Sequence, residues 1–346
     1  MNKLINIDSD LLLFKKLSPV LLRELYYIEE SPISLYQVEK SEVKTKIKKN
    51  SFINNHLLKE LLLQDISFLY AHKSEKYYIN KFISNKIYQT SRSLSIGNPS
   101  EKTKTLISLM CLNQKYIMED VTNEDQIKLQ YQSAKNLCYF LLKNIGLIDE
   151  LYNHILKQKF YFLYSQPILS SLFMLGLIKY SSQYTDKNIE ELFIASIFKD
   201  VGMSMIPTHA LNKEFLNDNE LNAFINHPIH STEILKNTIP LSHKYLNIII
   251  HHHIFSQLHQ SKNIVNLKHE KFKRKLELDK QSEVILGTET ILVCLCDMVA
   301  AMITERPYRK ALSLFETLKT IKPMIFEQYP MEFQLVIKYF NRFLKR

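Results

Sequence analysis

Hydrophobic and polar residues alternate along two short stretches near the start of the chain, Ile33 to Val38 and Val43 to Ile47, each bounded by polar residues. A period of two is what a strand with one buried face requires. Asn54 to Leu63 changes to apolar residues at helical spacing, Ile66 to Tyr70 reads as a buried strand, and Lys76 to Ile83 as a short helix. Together these predict a small α/β unit. Ser95 to Lys104, with Gly97, Pro99 and Ser100, has the composition of a linker. Thr105 to Ile117 and Glu124 to Ile145 carry amphipathic helical periods, and Gly146 is placed to cap the second. From about residue 150 long helical periods run to the last residue of the sequence, and no internal repeat is found. The expected fold class is therefore mostly α. A small α/β N-terminal domain covers 1–95, a helical linker 96–150 and a helical bundle 151–346. One segment breaks the pattern: Lys262 to Glu283 is densely charged and weakly periodic, and reads as a solvated loop or helix between two core helices.

Composition narrows the function classes. Hydrophobic residues make up 46% of the 346, enough for sizeable cores. Only 5 residues are glycine, and neither G-x-G-x-x-G nor G-x-x-x-x-G-K occurs, which argues against a Rossmann or P-loop nucleotide site. The formal net charge of +10 favours anionic partners. The lysines are scattered rather than clustered, however, so the excess does not point to a nucleic-acid surface. Cys111, Cys138, Cys294 and Cys296 show neither disulfide nor zinc-ligand spacing, and read as reduced, buried thiols of a cytoplasmic protein. Met1 to Leu17 lacks the layout of a signal peptide. No apolar run reaches the roughly 18 residues of a membrane span.

Candidate chemistry rests on His and Asp. Imidazole nitrogens and carboxylate oxygens together hold ions such as Fe, Mn or Zn. The chain offers Asp200 after Phe198-Lys199, His227 and His230 in one short run, the triplet His251-His252-His253, and Asp297 after Cys296. Singly each reads as a cap or surface residue.

Their order carries more. Ala195 to Gly202, ending at Ile206-Pro207, resembles the "HD-x-G-K…IP" helix end of HD-GYP phosphodiesterases. His227-Pro228 followed by Glu233-Ile234-Leu235 is similar to that family's next metal histidine and its helix, and His251-His252 fall where it has paired histidines. Thr304 to Ser313, reading T-E-R-P-Y-R-K-A-L-S, nearly repeats its closing "DRPYRKALS" run. The resemblance covers about residues 160–320 and implies an HD-type helical bundle. The N-terminal unit, through Ser34 to Tyr36, Lys44 to Phe52 and Ile66 to Tyr70, resembles the small domain preceding some HD-GYP domains, which implies a sensory or dimer-forming role.

The departures from the family's pattern are as informative. Its first histidine falls on Tyr164, the histidine of the "HD" pair on Lys199, and the lysine after the glycine on Met203. The Gly-Tyr-Pro run is replaced by His253 to Ser261, and a late aspartate by Ala300. By resemblance one ion, held partly by Asp200 and Asp297, has lost two nitrogen ligands. Protonated Lys199 has no lone pair and could stand in that ion's place. The other ion retains Asp200, His227, His251 and His252. Arg306 and Arg309 offer guanidinium forks for phosphate, or bridge a helix end. His230, one helical turn from His227, is placed to support it, whereas His253 and His259 read as surface residues. Gly202 and Pro207 read as structural.

The resemblance implies a divergent, cytoplasmic cyclic di-GMP signalling protein with one divalent transition metal. It would bind a cyclic dinucleotide or a pathway partner, as a monomer or homodimer, with weak or absent phosphodiesterase activity, Lys199 and Asp200 lying at the reaction centre. Two other readings stay open: a working phosphodiesterase using the retained site, and a metal-free interaction scaffold.

Overall fold

The structure is a computed structural model that describes residues 16–39, 42–179, 183–207, 209–213, 216–253 and 287–344. The charged stretch Lys262 to Glu283, His259 and the apolar run before Leu17 lie outside the described residues. The chain divides into two compact units, Met1–Thr90 and Ser91–Arg346.

The first unit contains β1 (Leu17–Leu21), the one-turn α1 (Leu22–Leu25), β2 (Leu35–Glu39), β3 (Glu42–Ile47), α2 (Asn55–Leu63), β4 (Phe68–His72) and the start of α3 (Lys76–Arg92). Its strands form an antiparallel sheet in the order β1-β4-β2-β3. The strand expected at Ile66 to Tyr70 as wholly buried is instead half-buried: Leu69 and Ala71 of β4 are buried, and Phe68, Tyr70 and His72 take the other face. Asn54 starts α2 by accepting the Leu57 N–H at 2.8 Å. Helix α3 runs well past Ile83, because buried Ile79, Ile83 and Ile87 continue one stripe at four-residue spacing. Strand β1 was not expected; it exists by pairing with β4, Leu17 opposite His72, a contact remote in sequence.

The second unit is helical, and among the described residues it adds no strand to the sheet. Helix α4 (Pro99–Glu119) begins inside the stretch read as a linker, with Asn98 accepting the Glu101 N–H at 3.2 Å and Pro99 in the first turn. Helix α5 (Glu124–Lys143) is capped by Asn144, and Gly146 sits in a short 3-10 turn instead of capping it. Then follow α6 (Ile148–Gln158), α7 (Phe162–Lys179), α8 (Asp186–Phe198), α9 (Asp218–Leu235), α10 (His243–His251), α11 (Thr288–Ile303), α12 (Leu314–Ile325) and α13 (Pro330–Leu344). The helices expected as a linker belong to this body: α4 packs on α5, α6 and α7, and α5 packs on α8.

Helix α7 is its axis. Buried residues surround it, and α4, α6, α8, α11 and α13 all pack against it. Among the described residues it is the one helix long and apolar enough to cross a membrane, and 89% of it is buried inside this bundle. A helix hydrophobic all round is what a bundle core demands.

Between α8 and α9 lies the contact that positions the site. The 3-10 turn Val201–Met205 is pressed so closely on α9 that a Cβ on Gly202 would stand 2.2 Å from the His227 carbonyl oxygen and 2.6 Å from the Ser231 nitrogen. Both obstacles are helical backbone and cannot yield cheaply. Gly202→Ala should therefore cost about 1–3 kcal/mol, the usual penalty of overpacking. A thermal or urea melt would measure it, and a variant as stable as the parent would contradict this account of the contact.

Candidate metal centre

Helix α8 delivers two charged residues at its end. Lys199 is the C-cap and Asp200 follows as the chain enters the 3-10 turn. Ser231 fastens this corner to α9: its hydroxyl accepts the Gly202 N–H at 2.8 Å and donates to the Lys199 carbonyl at 2.7 Å.

His227 comes from the middle of α9, just before Pro228. Proline has no N–H, so the Phe224 carbonyl one turn back loses its helical partner. The His227 ring takes that carbonyl instead, with Nδ1 2.5 Å away. The proton thus lies on Nδ1, and Nε2 turns its lone pair towards Asp200 Oδ1 at 3.3 Å. His252 repeats the device at the end of α10, where carbonyls lack helical donors. Its Nδ1 donates to the Ile249 carbonyl at 2.6 Å, and its Nε2 stands 3.1 Å from the same Asp200 oxygen. His253 completes the group, its ring centroid 4.0 Å from that of His252 and 5.0 Å from that of His227. One ligand atom from each of Asp200, His227, His252 and His253 lies within 4.8 Å of all the others.

This donor set fits one divalent ion. Two imidazole lone pairs and a carboxylate oxygen facing one another repel unless a proton or cation lies among them. His227 Nε2 is buried without a satisfactory hydrogen-bond partner. Burial pushes the His253 ring well below the usual imidazole range, so it is neutral and able to ligate. Carboxylate plus imidazoles suit Zn, Fe or Mn.

Lys199 fills the other half of the site. Fully buried, it bonds the Asp200 carboxylate and lies 2.8 Å from Asp297 Oδ1. Burial alone would lower its pKa, but Asp200 and Asp297 outweigh it and the pKa is raised. Burial would likewise raise Asp200; the Lys199 ammonium beside it outweighs burial and holds it well below the usual carboxylate range. The ammonium is thus a cation fixed between two carboxylates.

The signs set a pH dependence. Asp200 has its folded pKa depressed, so its contribution is present above the ordinary value of 3.8 and fades as pH falls towards the folded value. Lys199 has its folded pKa raised, so its contribution is present below the ordinary value of 10.5 and fades as pH rises through the folded value. Melts in chelator should show the gap in stability between wild type and Lys199→Met opening as pH rises above 3.8, where the variant's unpaired carboxylates ionise, and closing only above 10.5. A contribution falling steadily across neutral pH would refute it.

Asp297 carries the network onward. Gln166 of α7 donates to Asp297 Oδ1 at 2.9 Å, and its own Oε1 accepts from Arg306 at 2.5 Å. The Arg306 guanidinium lies over the Phe162 ring, 4.4 Å from its centroid. Asp200, His227, His253, Gln166 and Arg306 share a cleft walled by apolar residues such as Phe162 and Phe224, with about 40 Å³ of room for water-sized groups.

Several expectations change. His251 is outside the four-residue group and His253 is in it. Helix α10 ends at His251, whose carbonyl faces Cys294, and the turn that follows brings residues 252 and 253 to the site. Asp297 contacts Lys199 and Gln166, not the imidazole group. Arg309 is occupied as a helix cap: its guanidinium donates to the carbonyls of Ala301, Met302 and Lys310 at 2.8–3.1 Å. It serves a helix end, as the alternative to phosphate had it, but through carbonyls rather than a salt bridge. His230 faces Glu233 at 3.3 Å and not His227. Tyr164 packs beside Phe162, Leu163, Met203 and Ile206, while Gln166, two residues on, reaches Asp297. Gln166 escaped the sequence reading because an amide carries no motif; its only signal was a long polar side chain in a helix otherwise made mostly of apolar residues and small serines.

No protein-family model and no curated protein matches this sequence. A solved structure does: Bd1817, described as an HDG"Y"P protein from Bdellovibrio bacteriovorus. It aligns over 95% of this chain and 100% of its own length with a TM-score of 0.61, at 13% identity. The chain therefore has an HD-GYP-like fold.

Proposed function

We propose that the protein is a cyclic di-GMP signalling protein that binds one divalent transition metal at Asp200, His227, His252 and His253 and uses the adjoining cleft to bind the phosphate of a cyclic dinucleotide, with weak or absent hydrolysis. The observation that carries the reading is the pair of imidazole Nε2 atoms facing Asp200 Oδ1 at 3.1 and 3.3 Å, each with its tautomer fixed by a backbone carbonyl. The choice of ligand class rests on the motif resemblance, with which the likeness in fold to Bd1817 agrees.

The roles follow from what each side chain can do. An ion held by these ligands supplies a Lewis-acid contact for a phosphoryl oxygen. Arg306 adds a guanidinium to the same cleft. The Phe162 and Phe224 rings exclude water from its wall. Lys199 neutralises charge beside Asp200, but an ammonium offers no lone-pair site and cannot activate water as a second ion would. That is the reason to expect poor turnover. Buried free thiols at all four cysteines accord with action in the cytoplasm.

Elemental analysis, cyclic di-GMP binding and a hydrolysis assay on one preparation test the reading. The expected result is about one equivalent of metal, and binding that His252→Ala weakens. Efficient turnover would replace it by the phosphodiesterase reading. Neither metal nor nucleotide would replace it by a scaffold.

A further inference from the structure

Gln166 is buried, and its amide meets two different neighbours. It donates to Asp297, a group that only accepts, and accepts from Arg306, a group that only donates. Its orientation is therefore forced. Glutamate at this position would set a second carboxylate against Asp297, and methionine of similar length would bond neither partner. Asp297 is itself fixed by Lys199. Arg306 is thereby held by the Gln166 oxygen, by the face of Phe162 and, more loosely, by the Tyr308 hydroxyl at 3.3 Å, while still lining the cleft.

We propose that Gln166 is a positioning residue that holds the Arg306 guanidinium ready for a phosphoryl oxygen of a phosphate ester. This rests on the reading of the cleft as a phosphate site given above. A guanidinium already fixed loses less rotamer freedom when its anion arrives, and that saving appears as affinity. Gln166 also borders the cleft, but both atoms of its amide are engaged by Asp297 and Arg306, so it acts through Arg306.

The test is inorganic phosphate binding by calorimetry, on the full chain with the metal it carries from purification. Gln166→Met should weaken phosphate binding roughly three- to tenfold, the scale of one mobilised side chain, with metal stoichiometry unchanged. Arg306→Lys should weaken it at least as much. In the Arg306→Lys background, Gln166→Met should change affinity by no more than about twofold, since residues acting through one another are not additive. Phe162→Leu, which removes the ring face under the guanidinium, should resemble Gln166→Met and serves if that variant folds poorly. Undiminished binding in Gln166→Met and Phe162→Leu, or full additivity with Arg306→Lys, overturns the positioning role alone. If wild type binds no phosphate, or Arg306→Lys leaves binding intact, the reading of the cleft fails and the proposal with it.

Discussion

Replacing Lys199 by methionine should destabilise the metal-free protein by about 3–5 kcal/mol, the usual cost of removing one partner from a buried ion pair. The ammonium is completely buried and touches both Asp200 and Asp297. Methionine fills nearly the same volume, so little of the loss is cavity. What remains is two buried carboxylates with no cation between them. Added Mn²⁺ should restore much of the stability, and should raise the melting temperature of the variant more than that of wild type. Lys199→His should go further and increase the metal bound per chain. A Lys199→Met variant as stable as wild type, or a Lys199→His variant with unchanged metal content, would end the idea that this lysine stands where an ion could.

The second large effect is expected at His252. Its ring is buried, shares Asp200 Oδ1 with His227 and lies against His253. His252→Ala should abolish stoichiometric metal binding. It should also remove the stabilisation a bound ion confers, about 2.7 kcal/mol when free metal is a hundredfold above the dissociation constant. The control is chelator: metal-depleted wild type should melt close to metal-depleted variant, apart from the cost of the small cavity. His251→Ala should retain metal, because His251 lies outside the cluster. Retention of metal by His252→Ala and loss by His251→Ala would assign the ligands the other way round.

That contrast shows what the sequence could and could not reveal. Segments whose own periodicity decides their structure were legible: the β2–β3 hairpin by alternation, and α4 and α5 by amphipathic spacing. Strand β1 was not, because Leu17–Leu21 becomes a strand only through β4, about fifty positions later. In the site, Asp200 and His227 were legible because each has a fixed neighbour in its motif. Of the histidine triplet, His252 was expected and is in the group, but three identical residues give no sign of where the helix stops and so of which neighbour joins it. Choosing between 251 and 253 requires the rotation of the chain at the end of α10. The two arginines posed the same difficulty. Arg306 and Arg309 differ by three positions, yet one opens on the cleft and the other closes the carbonyl end of α11.

Pro228 has a consequence for the speed at which a ligand is captured. A free imidazole must settle both its rotamer and the nitrogen that keeps the proton before it can bind anything. In this chain the missing N–H of Pro228 makes those choices for His227 while the protein folds, by leaving the Phe224 carbonyl to its ring. A ligand that reaches the site therefore meets a ring already aimed. Capture should follow a single concentration-dependent phase set by diffusion into the cleft, without a slower rearrangement of this histidine behind it.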